Sequence, residues 1–178
     1  MGIFKAFFSK SDKPDKQMEK DTFNFHKLIE SDNINNSIIE FDNYIGCLCA
    51  YGDDMSKLND YQKNFYYNQC IEREINNGGF SQFYSNSSGD FAHEVIVSLK
   101  AVGADKTAET VLKANGLFPD GKVPKDREKR QEILEKIEEN ASDKWGELEE
   151  KFMAYEEDLN SLNMAYIKNN KEKFNPDT

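Results

Sequence analysis

The 178-residue chain has few of the groups from which catalytic and metal sites are built. It contains two histidines, His26 and His93, and neither has a neighbouring catalytic or metal-binding signature. The sequence also lacks a phosphate-binding glycine loop and a nucleophile elbow. Cys47 and Cys49 have no second cysteine pair or nearby histidine, so no zinc site is expected. These absences predict a protein that is not an enzyme and that holds no cofactor or metal.

Other absences bear on the compartment and on the fold. Three cysteines, an odd number, and no full secretory signal predict reduced thiols in a cytoplasmic protein. The apolar stretch from Ile3 to Phe8 is too short to span a bilayer, so no stable membrane anchoring is expected. No alternating β-branched run is long enough for a sheet. The expected fold class is therefore all-α, a single compact multi-helix domain over residues 21–178 with short loops and a flexible N-terminal arm or linker over residues 1–20.

Apolar residues at helical spacing predict the individual helices. Gly52-Asp53-Asp54 and Pro119-Asp120-Gly121 interrupt the pattern as turn signals. Ser142 or Asp143 is the expected cap of the last long helix. The segments expected to be helical are 23–30, 37–51, 59–76, a helix after residue 90, 107–117, 126–139 and a helix after residue 143.

Residues 75–90, called the joint below, form the most distinctive segment of the chain. Asn77 or Gly78 is expected to end a helix in the left-handed conformation, which glycine and asparagine adopt most readily. Buried amides must find hydrogen-bond partners, so the joint's amide side chains are expected to bind the freed backbone groups. These amide side chains are Asn76, Asn77, Gln82 and Asn86. The composition of the joint indicates a structural role.

The second half of the joint carries an aromatic pattern. Phe80, Phe83 and Tyr84 follow one another at i, i+3 and i+4, which predicts one short helical turn with an aromatic face. Ser88 or Asp90 is the expected N-cap of the next helix.

The joint also resembles the hallmark stretch of the DNA-mimic protein 19 family. The similarity runs from about residue 58 to residue 118, with weaker helical similarity to about Phe174. The resemblance implies an all-helical, dimeric protein without known enzymatic activity, whose acidic surface imitates duplex DNA and blocks a DNA-binding protein. The residues of the joint that carry the resemblance are Asn76, Asn77, Gly78, Gly79, Phe80, Gln82, Phe83 and Asn86.

Acidic residues are concentrated near the C-terminus of this chain, whose net charge is −10. Residues 138–158 hold nine acids and two lysines, a net charge of −7. A seam of apolar residues from Trp145 to Leu162 is expected to face the core, which places five carboxylates on the far side of the helix. These predicted partner-binding residues are Glu139, Asp143, Glu147, Glu150 and Glu157.

The spacing of these acids invites comparison with DNA. From Asp143 to Asp158 there are seven acids over roughly 22 Å of helix, about one per 3 Å. Each strand of B-DNA carries one phosphate per about 3.4 Å of axis. A mimic must keep the upstream bases Arg127, Lys129, Arg130 and Lys136 off its binding face. Residues 32–90 also hold nine acids against three bases, and the secondary acidic candidates there are Asp42, Asp53, Asp54 and Asp60.

Three hypotheses of function follow from these observations. The first is a non-enzymatic acidic protein that occupies the DNA site of a basic DNA-binding protein or transcription factor, and that does not bind nucleic acid itself because its charge repels phosphate. The second is an inhibitor or immunity-type interaction module. The third is a small-ligand protein that uses the Asn/Gln-rich joint. An acidic helix face can also be an ordinary solvated surface.

Overall fold

A computed structural model describes residues 23–176, and the predicted arm at residues 1–20 lies outside this range. The described residues form eight α-helices and no strand, which confirms the all-α fold class. None of these helices is both long and apolar enough to cross a membrane. The helices are α1 (Phe25–Glu30), α2 (Ile34–Leu48), α3 (Asp60–Ser85), α4 (Ala92–Ala101), α5 (Asp105–Asn115), α6 (Arg127–Met153), α7 (Leu159–Asn169) and α8 (Lys171–Phe174).

Polar side chains determine where several helices begin. At the start of α3, Asn59 Oδ1 accepts the Gln62 backbone N–H at 3.0 Å, and Gln62 Oε1 accepts the Asn59 backbone N–H at 3.1 Å. This reciprocal capping box satisfies two N–H groups that have no partner inside the helix. Asp126 and Asp158 accept backbone N–H groups in the same way at the starts of α6 and α7. These caps define where α6 and α7 begin.

Helix α3 runs through two groups of buried apolar residues. Its N-terminal half packs with α1, α2 and α7 around Phe41 and Phe65. Its C-terminal half packs with α4, α5 and α6 around Tyr84 and Trp145, whose ring centroids are 5.3 Å apart. The side chains of Tyr67, Phe91 and Tyr166 pack against both groups. The long helix therefore joins the two halves of the core.

The joint differs from the sequence prediction. Helix α3 continues to Ser85, and its only non-helical residues are Gly78 and Gly79. The predicted left-handed residue at Asn77 or Gly78 was wrong, because Gly78 is extended with φ −172° and Gly79 has φ +73° and ψ −166°. Phe80 and the residues after it then return to helical conformation. The glycines thus kink the helix and do not end it.

The predicted caps of α4 were also wrong. The N-cap of α4 is Phe91, and no side chain accepts a hydrogen bond there. Ser88 Oγ instead donates to Glu74 at 2.7 Å, and Asp90 pairs with Arg130 at 2.7 Å. A short 3-10 turn, Ser87–Phe91, leads directly into α4, so the chain needs no separate cap.

The predicted boundary at Ser142 or Asp143 does not exist, because α6 is one helix of 27 residues. Leu134, Ala141 and Trp145 keep one buried face through this region, so core packing continues across the expected break. The predicted apolar seam is divided, however, because α6 ends at Met153. Tyr155 has φ +47° and turns the chain, so the later residues of the seam belong to α7.

Candidate functional site

Four carboxylates share the solvent side of α6, and we call them the acidic face. At about 100° per residue they fall within about 80° of one another around the helix axis. The opposite side carries Leu148 and Phe152, which are buried. No member of the acidic face forms an ion pair with another residue in the range 23–176. The acidic face consists of Glu139, Asp143, Glu147 and Glu150, all exposed.

Several of the other acids in this region have internal partners. Glu149 Oε1 accepts the Phe80 backbone N–H at 2.7 Å, so this carboxylate is turned toward α3. Glu156 pairs with Lys106 at 2.9 Å, and Asp158 caps α7. Of the seven acids between residues 143 and 158, three belong to the acidic face. The expected density of about one charge per 3 Å was therefore too high.

Glu157 was expected on the far side of the same helix, and its predicted position was wrong. It lies after the end of α6, where its carboxylate accepts the Lys106 N–H at 3.0 Å and the Thr107 N–H at 2.8 Å. It also accepts the Thr107 hydroxyl at 2.8 Å. Partial burial alone would raise the pKa of Glu157, but these hydrogen bonds outweigh it and lower the pKa. Glu157 is therefore a capping residue at the N-terminus of α5.

The spacing along the acidic face is wider than the spacing of phosphates. Its four carboxylates extend over twelve residues, from 139 to 150, which is about 16 Å of helix at 1.5 Å per residue. Neighbouring charges are thus about 5 Å apart along the axis. A single strand of B-DNA has a phosphate every 3.4 Å or so. The negative charges of the acidic face are therefore more widely spaced than the phosphates of even a single DNA strand.

The bases just upstream divide into two groups. Arg127 Nε donates to the Ser85 carbonyl at 3.1 Å, and the side chain of Arg130 is fully buried. Lys129 and Lys136 remain exposed on the N-terminal half of α6. The acidic face accordingly begins one turn after Lys136 and occupies only the C-terminal half of the helix.

Arg130 binds the end of α3 to the segment before α6. Its Nε donates to the Tyr84 carbonyl at 2.7 Å, and its Nη2 donates to the Asn86 carbonyl at 2.9 Å. Its Nη1 donates to the Pro124 carbonyl at 2.7 Å, while Asp90 supplies the opposite charge. A buried arginine is stable only when its donors are paired in this way. Sequence reasoning had placed Arg130 with the surface bases, because adjacent charges in a helix give no sign of burial.

The secondary acidic candidates do not share one helix face. Asp42, on α2, forms an ion pair of 2.7 Å with Arg73 of α3. Burial raises the pKa of Asp42, and the Arg73 charge opposes that rise. Asp54 accepts the Ser56 backbone N–H at 3.2 Å, in the loop after α2. Asp53 and Asp60 are exposed, but one lies in that loop and the other is the first residue of α3.

Two of the joint's four amide side chains, Gln82 and Asn86, converge on a carboxylate that sequence reasoning missed. Glu74 Oε2 accepts Gln82 Nε2 at 2.7 Å and Asn86 Nδ2 at 2.9 Å. Glu74 Oε1 accepts the Ser88 hydroxyl at 2.7 Å. These amides were expected to bind backbone groups, but the kink brings them back over the preceding turns of α3. One carboxylate therefore holds the two sides of the kink together.

Helix α6 supports the kink from outside. Besides the Glu149 contact with Phe80, the Ser81 hydroxyl donates to Glu138. A Cβ atom at Gly79 would lie 2.2 Å from Glu149 Oε1, so a side chain at residue 79 would collide with this carboxylate. The inner acids of α6 thus serve the fold, whereas the carboxylates of the acidic face are exposed to solvent.

A second carboxylate of α3 lies beside the loop after α6. Burial raises the pKa of Glu72 to about 6, although the Tyr155 hydroxyl donates a hydrogen bond to it. Asn76 Nδ2 in turn donates to the Tyr155 hydroxyl at 2.6 Å. These contacts hold the turn that ends α6. Asn76 and Asn77 are both exposed.

The fold and this surface define an all-helical protein that presents an acidic helix face. The family model described as DMP19-like protein matches residues 56–170, which is 115 of the 178 residues. The chain belongs to this family, as its sequence resemblance predicted. The matched range includes the joint and the acidic face. A search of curated proteins and a search of solved structures found no significant match.

Proposed function

We propose that this protein is a non-enzymatic binding protein whose acidic face occupies the DNA-binding site of a basic DNA-binding protein. The observation that supports this proposal is the set of four exposed carboxylates on one side of α6, none of which has an ion-pair partner within residues 23–176. Charges without internal partners are free to pair with the bases of another protein. Membership of the DMP19-like family agrees with such a role.

The physical basis of the interaction is electrostatic. Carboxylates take the place of phosphates, attract a positively charged surface and speed association with it. Exposed charges are screened within about 8–10 Å at moderate ionic strength, so binding should weaken as salt is added. The net charge of −10 repels nucleic acid, so the protein itself should not bind DNA.

Release by DNA is the direct test of this proposal. The protein would be immobilised, exposed to a lysate of the cells that produce it, and washed with a short DNA duplex. We expect the duplex to release bound basic proteins, because DNA and the acidic face compete for one site. The control is a four-site variant, Glu139→Gln, Asp143→Asn, Glu147→Gln and Glu150→Gln, which should retain little of the same proteins. Partners that stay bound in excess duplex would contradict the proposal.

The second candidate is an inhibitor or immunity-type module that binds a basic surface other than a DNA site. The wide spacing of the acidic face favours it, because about 5 Å between charges does not reproduce a phosphate backbone. A partner that depends on the acidic face but resists the duplex would support this candidate. The small-ligand hypothesis gains no support from the joint, where Gln82 and Asn86 both donate to Glu74.

A further inference from the structure

Gly146 lies at the edge of the acidic face and is a position that has no side chain. It lies inside the C-terminal half of α6, three residues after Asp143 and four before Glu150. Glycine is less favourable than alanine inside a helix, because it loses more conformational freedom on folding. The presence of glycine at this position in a long helix therefore calls for a physical reason.

The packing of the protein itself gives no such reason. A Cβ atom at Gly146 would meet nothing within 4 Å. Its φ is not positive, so the backbone does not require glycine either. At Gly89, in contrast, a Cβ atom would lie 2.7 Å from Arg130 Nε, which explains that glycine by internal contact. Gly146 leaves an opening toward solvent.

The surroundings of this opening suit a particular kind of contact. Asp143 and Glu150 are its neighbours on the helix surface, at i−3 and i+4. Met153 follows Glu150 by three residues and is 45% exposed, so an apolar side chain lies at the end of the acidic face. Methionine adapts its shape to many apolar partners. The surface thus combines negative charge, a bare stretch of backbone and one apolar group.

We propose that Gly146 is the point of close approach for a basic amphipathic helix of the partner, which crosses α6 there. In this arrangement arginines of the partner helix pair with Asp143 and Glu150, the neighbours of Gly146 on the helix surface, and an apolar side chain contacts Met153. This inference rests on the proposed function and specifies the element of the partner that is bound. Helices that carry arginines are a common means of reading the major groove, so such an element fits a DNA-binding partner.

The absence of a side chain at Gly146 strengthens this contact in two ways. Helices pack at about 8–10 Å, and the distance depends on the side chains at the crossing point. A smaller residue there brings the charges of the two helices closer, and their attraction increases as the separation falls. Charge complementarity selects a basic helix for this surface over a neutral or acidic one.

The test uses a defined probe that does not depend on finding the natural partner. The probe is a synthetic helical peptide with arginines at i and i+4 on one side and alanines along its contact line. Its binding would be measured by fluorescence anisotropy at low ionic strength with the parent protein and with Gly146→Ala and Gly146→Gln. We expect Gly146→Ala to weaken binding by about tenfold, a typical effect of overfilling a tight contact, and Gly146→Gln to weaken it further.

Stability measurements separate this effect from misfolding. Both variants should melt at or above the temperature of the parent, because each residue favours a helix more than glycine does. Asn140→Ala is the matched control, since it raises helix propensity on a flank of α6 away from the opening and should leave peptide binding unchanged. Weaker binding by a more stable protein would identify Gly146 as a contact residue.

Two other results would overturn the inference. Parent-like binding by both Gly146 variants would mean that charge alone holds the peptide, and failure of the parent to bind would exclude a basic helix as the occupant. Neither result decides the proposed function, because that proposal is tested separately by the release of bound proteins with a DNA duplex. If the four-site variant binds the peptide as tightly as the parent, the acidic face itself is not the binding surface and both proposals fail.

Discussion

Single residues control the kink in α3. Gly79 has φ +73° and ψ −166°, a region of backbone conformation that is essentially restricted to glycine. The break leaves the Phe80 N–H without an acceptor in its own helix, and it donates instead to Glu149 Oε1. The aromatic turn after the kink can then enter the same core as the turns before it.

Replacement of Gly79 by alanine should destabilise the protein strongly. The new Cβ atom combines an unfavourable backbone conformation with a collision against the Glu149 carboxylate, which must move and release the Phe80 N–H. We expect a loss of about 3 kcal/mol or more in the free energy of unfolding. Urea unfolding followed by circular dichroism would measure it.

Gly103→Ala is the matched control for this prediction. Gly103 also has a positive φ, +86°, but a Cβ atom there meets nothing within 4 Å. Only backbone strain remains, so the loss should be about 1–2 kcal/mol. Equal losses at the two glycines would show that the contact with Glu149 contributes nothing.

Replacement of Glu72 by glutamine should stabilise the protein at neutral pH. Burial raises the pKa of this carboxyl to about 6 from 4.5, so the native state holds its proton more tightly than the unfolded chain does. The stability due to this group is fully present below pH 4.5 and is lost as the pH rises through 6. The neutral amide removes this loss, with a gain of at most about 2 kcal/mol above pH 7.

Unfolding free energies of Glu72→Gln and the parent should therefore converge toward low pH and diverge toward high pH. Glu135→Gln is the control, since Glu135 is exposed on α6 and should give nearly parallel curves. A constant difference across the pH range would mean that the carboxyl of Glu72 does not titrate as proposed.

At the scale of elements, α3 and α6 are held together by polar contacts as well as by apolar packing. Removal of the guanidinium in Arg130→Met leaves the Tyr84 and Asn86 carbonyls without their donors. The expected loss is about 3–5 kcal/mol, the range for breaking a buried charge pair from one side. Thermal melts at constant pH would measure it.

Arg127→Met provides the comparison for Arg130→Met. Arg127 lies one turn earlier on the same helix, is exposed, and makes one hydrogen bond to the Ser85 carbonyl. We expect Arg127→Met to lower the free energy of unfolding by less than about 1 kcal/mol. Similar losses at both arginines would contradict the structural role of Arg130.

Apolar periodicity predicted the existence of most helices but not their ends. Residues 142 and 143 were expected to begin a helix because both have capping side chains, yet the buried face that passes through Ala141 and Trp145 continues there. At Gly78 and Gly79 the sequence predicted the end of a helix, but the glycines only kink α3, which continues to Ser85. The sequence could not show which glycine would adopt a positive φ, since this depends on Glu149 of a distant helix, which accepts the Phe80 N–H.

The candidate site was predictable to the extent that helical phase determines it. The far side of α6 follows from the spacing of its apolar residues, and Glu139, Asp143, Glu147 and Glu150 are exposed there. Glu157 was misplaced because the end of α6 depends on Tyr155, which has φ +47° and gives no local signal. Glu149 and Arg130 were missed because their partners are distant in sequence.

At the scale of the whole molecule, the acidic face places four exposed negative charges without ion-pair partners within residues 23–176. Neutralising the acidic face with the four-site variant removes like-charge neighbours at i+3 and i+4. We expect the fold to survive with a gain of up to about 1 kcal/mol, since each such pair is worth a few tenths. The stability should also depend less on salt. Melting curves at two ionic strengths would measure both effects.

Addition of Glu157→Gln to the four-site variant should cancel the expected gain in the free energy of unfolding. The Glu157 carboxylate binds two N–H groups at the start of α5, where a negative charge is favourable. A five-site variant that is more stable than the four-site variant would show that this cap is dispensable.

The Phe80 N–H has a further consequence for experiments on the intact protein. Its protection from hydrogen exchange depends on a carboxylate of α6 and not on the helix to which it belongs. Exchange at this one amide therefore reports whether α6 is seated against α3, and neighbouring amides in regular helix do not. If binding at the acidic face displaces α6 from α3, the exchange rate of the Phe80 amide should change before the rates of the neighbouring amides in regular helix.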